Sequence, residues 1–566
     1  MSQQKNSSTT QKDSCKQTKK EFSAFRQLIK ESTAIAASIA QLTNDLQTTI
    51  PPKSTGNKKE PYFLNQYVIE KDINTNYQNF KLIFDQSSDV IFRRLRITDR
   101  NNTQIFICFI KGIVDEQRIN NYIVRPLHHF TPDQPESADL ITQLQQHIFT
   151  AIEINVQTDF DEVINGILEG NAAVFIDGFD QVLLINAKGG KTRSVEEPHT
   201  EVTIRGSRDG FTELNLVNIS LVRRRIKNTN LIIEPFILGK ETHTNIAIAY
   251  IKGIAAPAII DELKYRLNKI NTDSILESGY IEQLIEDHPF SLFPTIGNSE
   301  KPDKVAAKIL EGRVAIFCSG TPFVLTVPFL FIETLQTTED YYSRIYIVNI
   351  YRMIRFFSLF TTMVLPALYI ALETFNQEMV PTVLLIKAAA AREGIPFPTF
   401  IETIIMGILF EIIRESGVRL PRQVGQAVSI VGALVIGEAA VSAGIISAPM
   451  VIIGAITGIT SFVVPPLQES IIIIRIFLIF CSATFGLFGV IIGMMLILTH
   501  ICSLRSFGIP YFEPIAPLIW TELKDTIFRA PLWLLKSKPK LFTVNNLKQK
   551  WNTLIKRTLN RKRGTK

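Results

Sequence analysis

Cysteine is scarce in this chain of 566 residues. Cys15, Cys108, Cys318, Cys481 and Cys502 are odd in number and widely spaced, so they outline neither a disulfide framework nor a metal knuckle. Reduced, mostly buried thiols are expected. The seven histidines are scattered, with His128-His129 the one cluster. No His-Glu-x-x-His pattern or short-spaced ligand set occurs, which leaves no metal site to propose. There is no Gly-x-Ser-x-Gly elbow, and the acids give no pair that stands apart from surface charge. A Gly-rich phosphate loop and a dinucleotide fingerprint are also missing. These absences point away from an enzyme and from any cofactor: no catalytic residue is assigned. Met1–Lys20 lacks the apolar core of a secretory signal, so the N-terminal region is expected on the cytoplasmic side.

Charge is also missing, but only locally. Charges occur throughout the chain up to Ile350, whereas the whole stretch from Gln423 to Pro466 passes with Glu438 as the one formal charge. No soluble core needs that much continuous apolar chain, and it reads as two closely joined membrane spans, Val424–Ser447 and Met450–Pro465. Further spans are expected at Phe356–Leu372 and Ile476–Leu498. Arg344, Arg352 and Arg355, with the aromatic residues before the first of these, suit the headgroup layer. Phe400–Ile413 is too short to cross easily by itself, and Gly508–Trp520 has so many prolines that it reads as re-entrant or shielded by protein. Small residues recur at spacing four, as in Ala440, Gly444 and Ala448, or Gly489 and Gly493, which allows helix backbones to meet closely in lipid.

The soluble half contains an internal duplication. Asn102–Ile113 recurs as His243–Ile254, and Leu168–Gly178 recurs as Leu310–Gly320, at an offset that is almost the same for both pairs. In each copy an apolar run, Ile105–Phe109 or Ile246–Tyr250, predicts a buried strand followed by a helix. Ala173–Ile176 with Val182–Ile185, and Ala315–Cys318 with Val324–Val327, predict hairpins. Each copy is expected to be a small α/β unit with mixed strand pairing. The fold class is thus an α/β region of two duplicated subdomains followed by an all-α polytopic membrane domain. Its expected parts are a tail (1–65), the first subdomain (66–190), a charged connection (191–240), the second subdomain (241–345), a membrane domain of four to six spans (346–520) and a basic tail (521–566).

The charged connection carries Glu201, Arg205, Arg208, Glu213, Arg223, Arg224 and Arg225. Its acids and bases are interspersed, unlike the one-sign patch that nucleic-acid binding needs. The guanidinium fork meets a carboxylate bidentately, so these groups are candidates for clamping the two copies or two subunits. A solvated surface and an anion or lipid-headgroup site are the other readings. Glu438, within Val-Ile-Gly-Glu-Ala-Ala-Val, must face protein, water or an ion rather than lipid. It is the candidate pore or gating residue, with a structural hydrogen bond or a differently placed helix end as alternatives. The basic C-terminal region should remain beside anionic lipid on the cytoplasmic side, which makes the crossing count even. That count is six if the Phe400 and Gly508 segments cross, and four if neither does.

The stretch Glu196-Glu-Pro-His-Thr-Glu-Val-Thr-Ile-Arg-Gly-Ser-Arg-Asp-Gly-Phe-Thr-Glu213 carries a resemblance, supported by Thr321–Pro328, Glu339-Asp-Tyr-Tyr342, Arg392–Pro398 and Phe400-Ile-Glu-Thr403. From about residue 65 onward the chain closely resembles the A subunit of the GerA-type spore germinant receptors of endospore-forming Firmicutes. The resemblance implies a spore inner-membrane protein acting with a transporter-like B subunit, which holds the germinant, and a lipoprotein C subunit. It further implies a homo-oligomer, with a pentamer as the expected form, that releases monovalent cations on sensing a nutrient. A scaffold that relays the signal without conducting, and a transporter, are the competing readings; the duplication lies only in the soluble half, whereas a transporter would show paired segments in the membrane.

Overall fold

Gln104–Ile110 is an unbroken run of Ile, Phe and Cys after its first residue, a composition suited to a strand buried on both faces. It forms β2, in which every residue but Gln104 is buried. The computed structural model describes residues 67–84, 87–97, 103–129, 140–144, 153–189, 197–198, 200–419, 437–520 and 522–535. The expected N-terminal tail lies outside these residues, as do the basic residues beyond 535.

In the first subdomain α1 (Ile73–Phe84) precedes β1 (Val90–Arg96) and β2. Short helical turns follow, then β3 (Ile154–Gln157), α2 (Phe160–Leu168), β4 (Ala172–Ile176) and β5 (Val182–Ile185). The sheet order is β1-β2-β4-β5-β3. On one face Phe106 of β2 stacks on Phe175 of β4 at 4.1 Å between centroids, and Phe80 of α1 closes over Phe175 at 4.8 Å. The second subdomain repeats the plan. It runs α3 (Asn215–Arg225), β6 (Leu231–Leu238), β7 (Thr244–Ile251), α4 (Pro257–Lys269), α5 (Ser278–Ile285), β8 (Gly297–Ser299), α6 (Pro302–Glu311), β9 (Val314–Cys318) and β10 (Val324–Val327). Its sheet order, β6-β7-β9-β10-β8, is the same permutation.

The duplication extends to register: Val90 pairs with Ile110 in the first sheet, and Leu231 with Ile251 at the equivalent place in the second. The mixed pairing expected from the helix after each Lys-Gly-Ile element is corrected, because every pair of strands in both sheets is antiparallel. The helical connection after β2 does not return to a neighbour of β2. It leads to β3 at the far edge, which pairs with β5, so no parallel crossover is made.

The second sheet's core does not end at its own helices. The cluster containing Ile248, Ile316 and Leu325 continues through Phe331 to Leu359 and Met363, and on to Leu478. Leu359 and Met363 belong to α8 (Ile345–Thr374), which follows the short α7 (Glu339–Tyr342). Next come α9 (Thr382–Ala391), α10 (Thr399–Arg419), α11 (Ala448–Ser461) and α12 (Gln468–Ser503). Among the described residues two helical stretches, Ile345–Thr374 and Pro465–Ser503, are long and apolar enough to cross a membrane. α8 begins earlier than the expected span, at Ile345, because its first turns stand against the soluble half. α11 has 14 residues, about 21 Å at 1.5 Å per residue, which is short of a hydrocarbon core of about 30 Å. The expected span Val424–Ser447 lies mostly outside the described residues.

The expected span Ile476–Leu498 lies within α12, which the structure folds into a hairpin. Gly486 has φ 61° and ψ −141°, and the chain doubles back there. Gly493 on the returning arm packs on Leu478 of the outgoing arm. Both ends of the hairpin reach the same loop of the soluble half, where Ser470 Oγ donates to the Leu292 carbonyl and His500 Nε2 lies 3.3 Å from Ser291 Oγ. The turn meets the far end of α8, where Leu487 N donates to Asn376 Oδ1. α10 and α11 lie side by side and run the same way: Ser447 N donates to Glu402, Thr403 meets Met450, and Gly454 meets Met406.

Where the contacts fix it, the Gly508–Trp520 stretch is held on the second subdomain. It opens with a two-residue hairpin of β11 (Arg505–Ser506) and β12 (Ile509–Pro510), docked on the second subdomain. Ser506 Oγ donates to the Thr295 carbonyl at 2.7 Å, and Phe331 N donates to the Tyr511 carbonyl at 2.9 Å. The prolines that break up a helix there allow a close-fitting, fully buried Tyr511 instead.

The hairpin yields a test. A Cβ at Gly486 would meet Phe375 at 2.8 Å in a backbone conformation reserved for glycine, and a Cβ at Gly489 would collide with the carbonyl of Cys481. Gly486→Ala and Gly489→Ala are each expected to cost about 1–3 kcal/mol, with the obstructed backbone at Gly489 making it the worse of the two. Thermal melting of the full-length chain in detergent checks both, with Gly407→Ala, which has open space for a Cβ and no positive φ, as the milder comparison.

Candidate functional site

Three groups of buried charge stand out, each where separate parts of the chain meet. The first joins the two subdomains. α3 turns Arg223 inward, and its guanidinium donates to both carboxylate oxygens of Asp89, through Nε at 2.9 Å and Nη2 at 2.8 Å. Nη2 also donates to Ser87 Oγ at 2.8 Å, and Nη1 to the Asn228 carbonyl. The pair is almost wholly buried, with 1% and 4% side-chain exposure. Ser88 N donates to the carbonyl of Ile233 in β6, so the loop before β1 is stitched to the second sheet on both sides of the ion pair. The sequence offers a clamp between the copies or between subunits as one reading, with Glu201, Glu213 and their neighbours as its acids; the acid that Arg223 meets is Asp89.

The other expected interface groups are dispersed. Glu201 accepts from Ser299 Oγ and from Lys304, within the second subdomain. Burial pushes its carboxyl upward, but Lys304 beside it overrides that and holds it below the usual range. Arg225 reaches Ser207 and Asp209 at 2.9 and 2.8 Å. Arg208 pairs with Glu197 in full view of solvent. Arg205, Glu213 and Arg224 are exposed; the backbone N–H of Arg205 donates to Glu339, and the carbonyl of Glu213 accepts from Gly320.

The second group includes two of the arginines that the sequence assigns to the headgroup layer, and it sits where the soluble half meets α8. Asp340 of α7 is 1% exposed and accepts from Arg352 Nε and Arg355 Nη1, both at 2.9 Å. Arg352 also donates to Asp525 at 2.8 Å and to the Thr526 carbonyl at 2.9 Å. Tyr341 donates to the other oxygen of Asp525 at 2.7 Å, and Arg529 reaches the Asp340 carbonyl. Burial, and then the negative charge of Asp525, push the Tyr341 hydroxyl far up. Close by, Glu333 takes Lys308 at 3.0 Å and also Arg313. Burial would raise Glu333, yet those two cations keep it below the usual carboxylate range, while burial lowers Lys308 to about 8.

The third group lies among the apolar helices. Glu402 of α10 is completely buried, accepts from Ser447 N at 3.0 Å and Oγ at 2.7 Å, and lies 3.4 Å from Arg392, which also faces Glu373. Farther along, Arg475 of the hairpin pairs with Glu411 at 2.7 Å, and Arg414 joins from the other side at 2.8 Å. Arg475 borders a small recess of about 30 Å³ lined also by Pro366, Met406 and Phe410. Glu438 stands apart from all of these, exposed within the helical residues 437–442. Among the described residues no group of His, Cys, Asp and Glu is placed to hold a metal. The arrangement suits mechanical connection between parts rather than bond-making chemistry.

A family model described as Bacillus/Clostridium GerA spore germination protein matches residues 78–541. The chain is 45% identical over 481 residues to the uncharacterized membrane protein YfkQ of Bacillus subtilis (strain 168), covering 84% of this chain and 93% of that one. It is also 45% identical over 474 residues to spore germination protein KA of the same organism, covering 83% and 87%. Among solved structures, the N-terminal domain of the A subunit of the Bacillus megaterium spore germinant receptor GerK3 is 33% identical, covering 47% of this chain and 98% of that one, with a TM-score of 0.38.

The buried charges can be tested in two ways. Arg223→Ala leaves Asp89 buried without its partner and is expected to cost about 3–5 kcal/mol, whereas Arg208→Ala, which loses an exposed pair, should change stability by about 0–1 kcal/mol. Comparative thermal melts of the full-length chain check the contrast. The second test concerns Glu282 on α5, pushed up to about 7 by burial and then by Glu286, Glu277 and Glu469, with Asn298 opposing through a hydrogen bond. Folding raises this carboxyl above its ordinary 4.5, so between those values the folded chain holds a proton that the unfolded chain has lost. Stability from this group is therefore full below pH 4.5 and falls as pH rises to about 7. Glu282→Gln should flatten that part of the melting-temperature profile and stabilise the chain at neutral pH.

Proposed function

The chain belongs to the Bacillus/Clostridium GerA family of spore germination proteins, and from that premise we propose that it is the membrane subunit of a nutrient-sensing germinant receptor, forming an oligomeric, ligand-gated channel for monovalent cations. It is a receptor component and not an enzyme. The coarse part of this reading, a membrane-associated component of a multi-subunit receptor, follows from the family. The conducting role, the pentamer, the B and C partner subunits, the spore inner membrane and the cytoplasmic placement of both termini are the proposal. The division into a tail, two subdomains, a connection, a membrane domain and a basic tail is proposed with it.

What supports conduction is the contrast between Glu438 and the acids carried by α8 and α10. Glu373 and Glu402 face Arg392, and Glu411 faces Arg475 and Arg414. Glu438 instead stands exposed on a single copy, in a stretch rich in Gly and Ala. A carboxylate so placed needs water or another subunit before lipid can surround the chain. Ring symmetry would repeat one such charge around an axis, where it attracts cations.

Glu438→Gln keeps the side chain's shape and removes its charge. It is expected to lower cation flux through reconstituted membranes by severalfold while assembly stays nearly intact. Unchanged flux and cation preference at normal protein level would leave Glu438 a structural role. An assembled receptor that passes no ions at all, with either residue, would favour the non-conducting scaffold.

A further inference from the structure

All three tryptophans of the chain, Trp520, Trp533 and Trp551, fall close to its C-terminal end. The same region holds a concentration of one charge: residues 521–566 carry thirteen Lys and Arg against Glu522 and Asp525. The described part shows what the tryptophans do not do. Trp520 is 76% exposed and Trp533 70%, and Leu518, Phe528, Leu532 and Leu534 are each more than half exposed beside them. This is a dense run of large apolar side chains with no cover from the described part of the chain's own fold.

Its position is fixed by polar contacts on the inner side. Arg352, near the beginning of α8, holds Asp525 at 2.8 Å, and Arg529 N donates to Asn349 Oδ1 of α8, also at 2.8 Å. Ala530 N closes the loop onto the Lys524 carbonyl at 2.7 Å. The exposed residues therefore stand at the base of α8, the end of that helix that meets the soluble half. Tyr346, Tyr351 and Phe357, on the first turns of α8, are exposed there too.

We propose that Leu518, Trp520, Phe528 and the turn Leu532–Leu534 form an interfacial anchor lying in the headgroup layer of an anionic lipid leaflet at the base of α8. The inference rests on the membrane reading given above. Indole and phenyl rings beside Leu favour the boundary between headgroups and acyl chains, to a depth of about 5–10 Å. The basic residues that follow draw the segment to anionic lipid. Charge also decides between lipid and a second copy as the cover: two such segments set face to face would bring like charges together, whereas an anionic leaflet neutralises them.

The chain supplies its own probe, because its tryptophan emission comes from this region alone. The full-length chain with Trp551→Phe, which leaves Trp520 and Trp533, is reconstituted in vesicles of phosphatidylcholine and phosphatidylglycerol containing lipids brominated either near the glycerol or near the acyl-chain end. Quenching by the shallow label is expected to exceed that by the deep label by about twofold or more, with little quenching by iodide and a weaker shallow effect when phosphatidylglycerol is omitted. Iodide quenching as strong as for free tryptophan, in a chain that resists carbonate extraction, overturns the anchor and leaves the membrane reading standing. Emission indifferent to both bromolipids but sensitive to dilution of the chain in lipid also overturns it, with a second copy as the cover. Extraction by carbonate overturns the membrane reading and the anchor together.

Discussion

A charge taken out of water must be paired, and in this chain that rule decides which segments may separate. Asp340, almost fully buried, sits between Arg352 and Arg355, and Arg352 in turn holds Asp525. These four residues come from the end of the soluble half, the start of α8 and a segment far along the chain. Removing one partner from such a group costs about 3–5 kcal/mol, a large part of a domain's whole stability. The soluble half, the first long apolar helix and the C-terminal segment therefore hold one arrangement. Glu333 with Lys308 and Arg313 reinforces it from within the second subdomain.

The same rule acts where no water is available. Apolar surface cannot drive helices together in lipid, so close backbone approach and internal polar contacts must do so. Gly454 and Gly458 admit Met406 and Phe410 of the neighbouring helix, and Ser482 donates to the carbonyl of Ala367. Glu402 on Ser447 and Arg475 on Glu411 give these charged groups partners inside the bundle.

What was legible in the sequence was whatever repeats or whatever is unbroken. The constant offset between the copies reappears as the pairing of Val90 with Ile110 and of Leu231 with Ile251. Strand pairing was not legible, because it depends on which edge a connection reaches and not on the helix inside it. Arg223 was identified and its partner was not, although a signal existed: at the repeat offset Asp89 corresponds to Asn230, a carboxylate present in one copy alone. Arg352 beside an apolar run reads as a headgroup residue because the sequence shows neither Asp340 nor Asp525 closing on it. The hairpin of α12 was hidden because Gly486 is surrounded by residues equally suited to a straight helix; its positive φ appears only with the fold.

The clamps differ in what they allow to move. The first subdomain is bound to the second by the buried pair of Arg223 and Asp89, an exposed pair of Lys227 and Glu169, and a few hydrogen bonds around Ser87 and Ser88. The second subdomain is bound to α8 by two linked ion-pair groups and by a hydrophobic core that runs on into the apolar helices. A displacement of the second subdomain must either break the contacts of Arg352 or carry the base of α8 with it. Breaking them leaves charges buried without partners, so carrying the helix is the less costly course. At its other end α8 meets the hairpin turn, where Phe375 packs against Gly486 and Asn376 holds Leu487. α8 thus links the soluble half to the hairpin turn, with Pro366 in its interior as the place where the helix can bend.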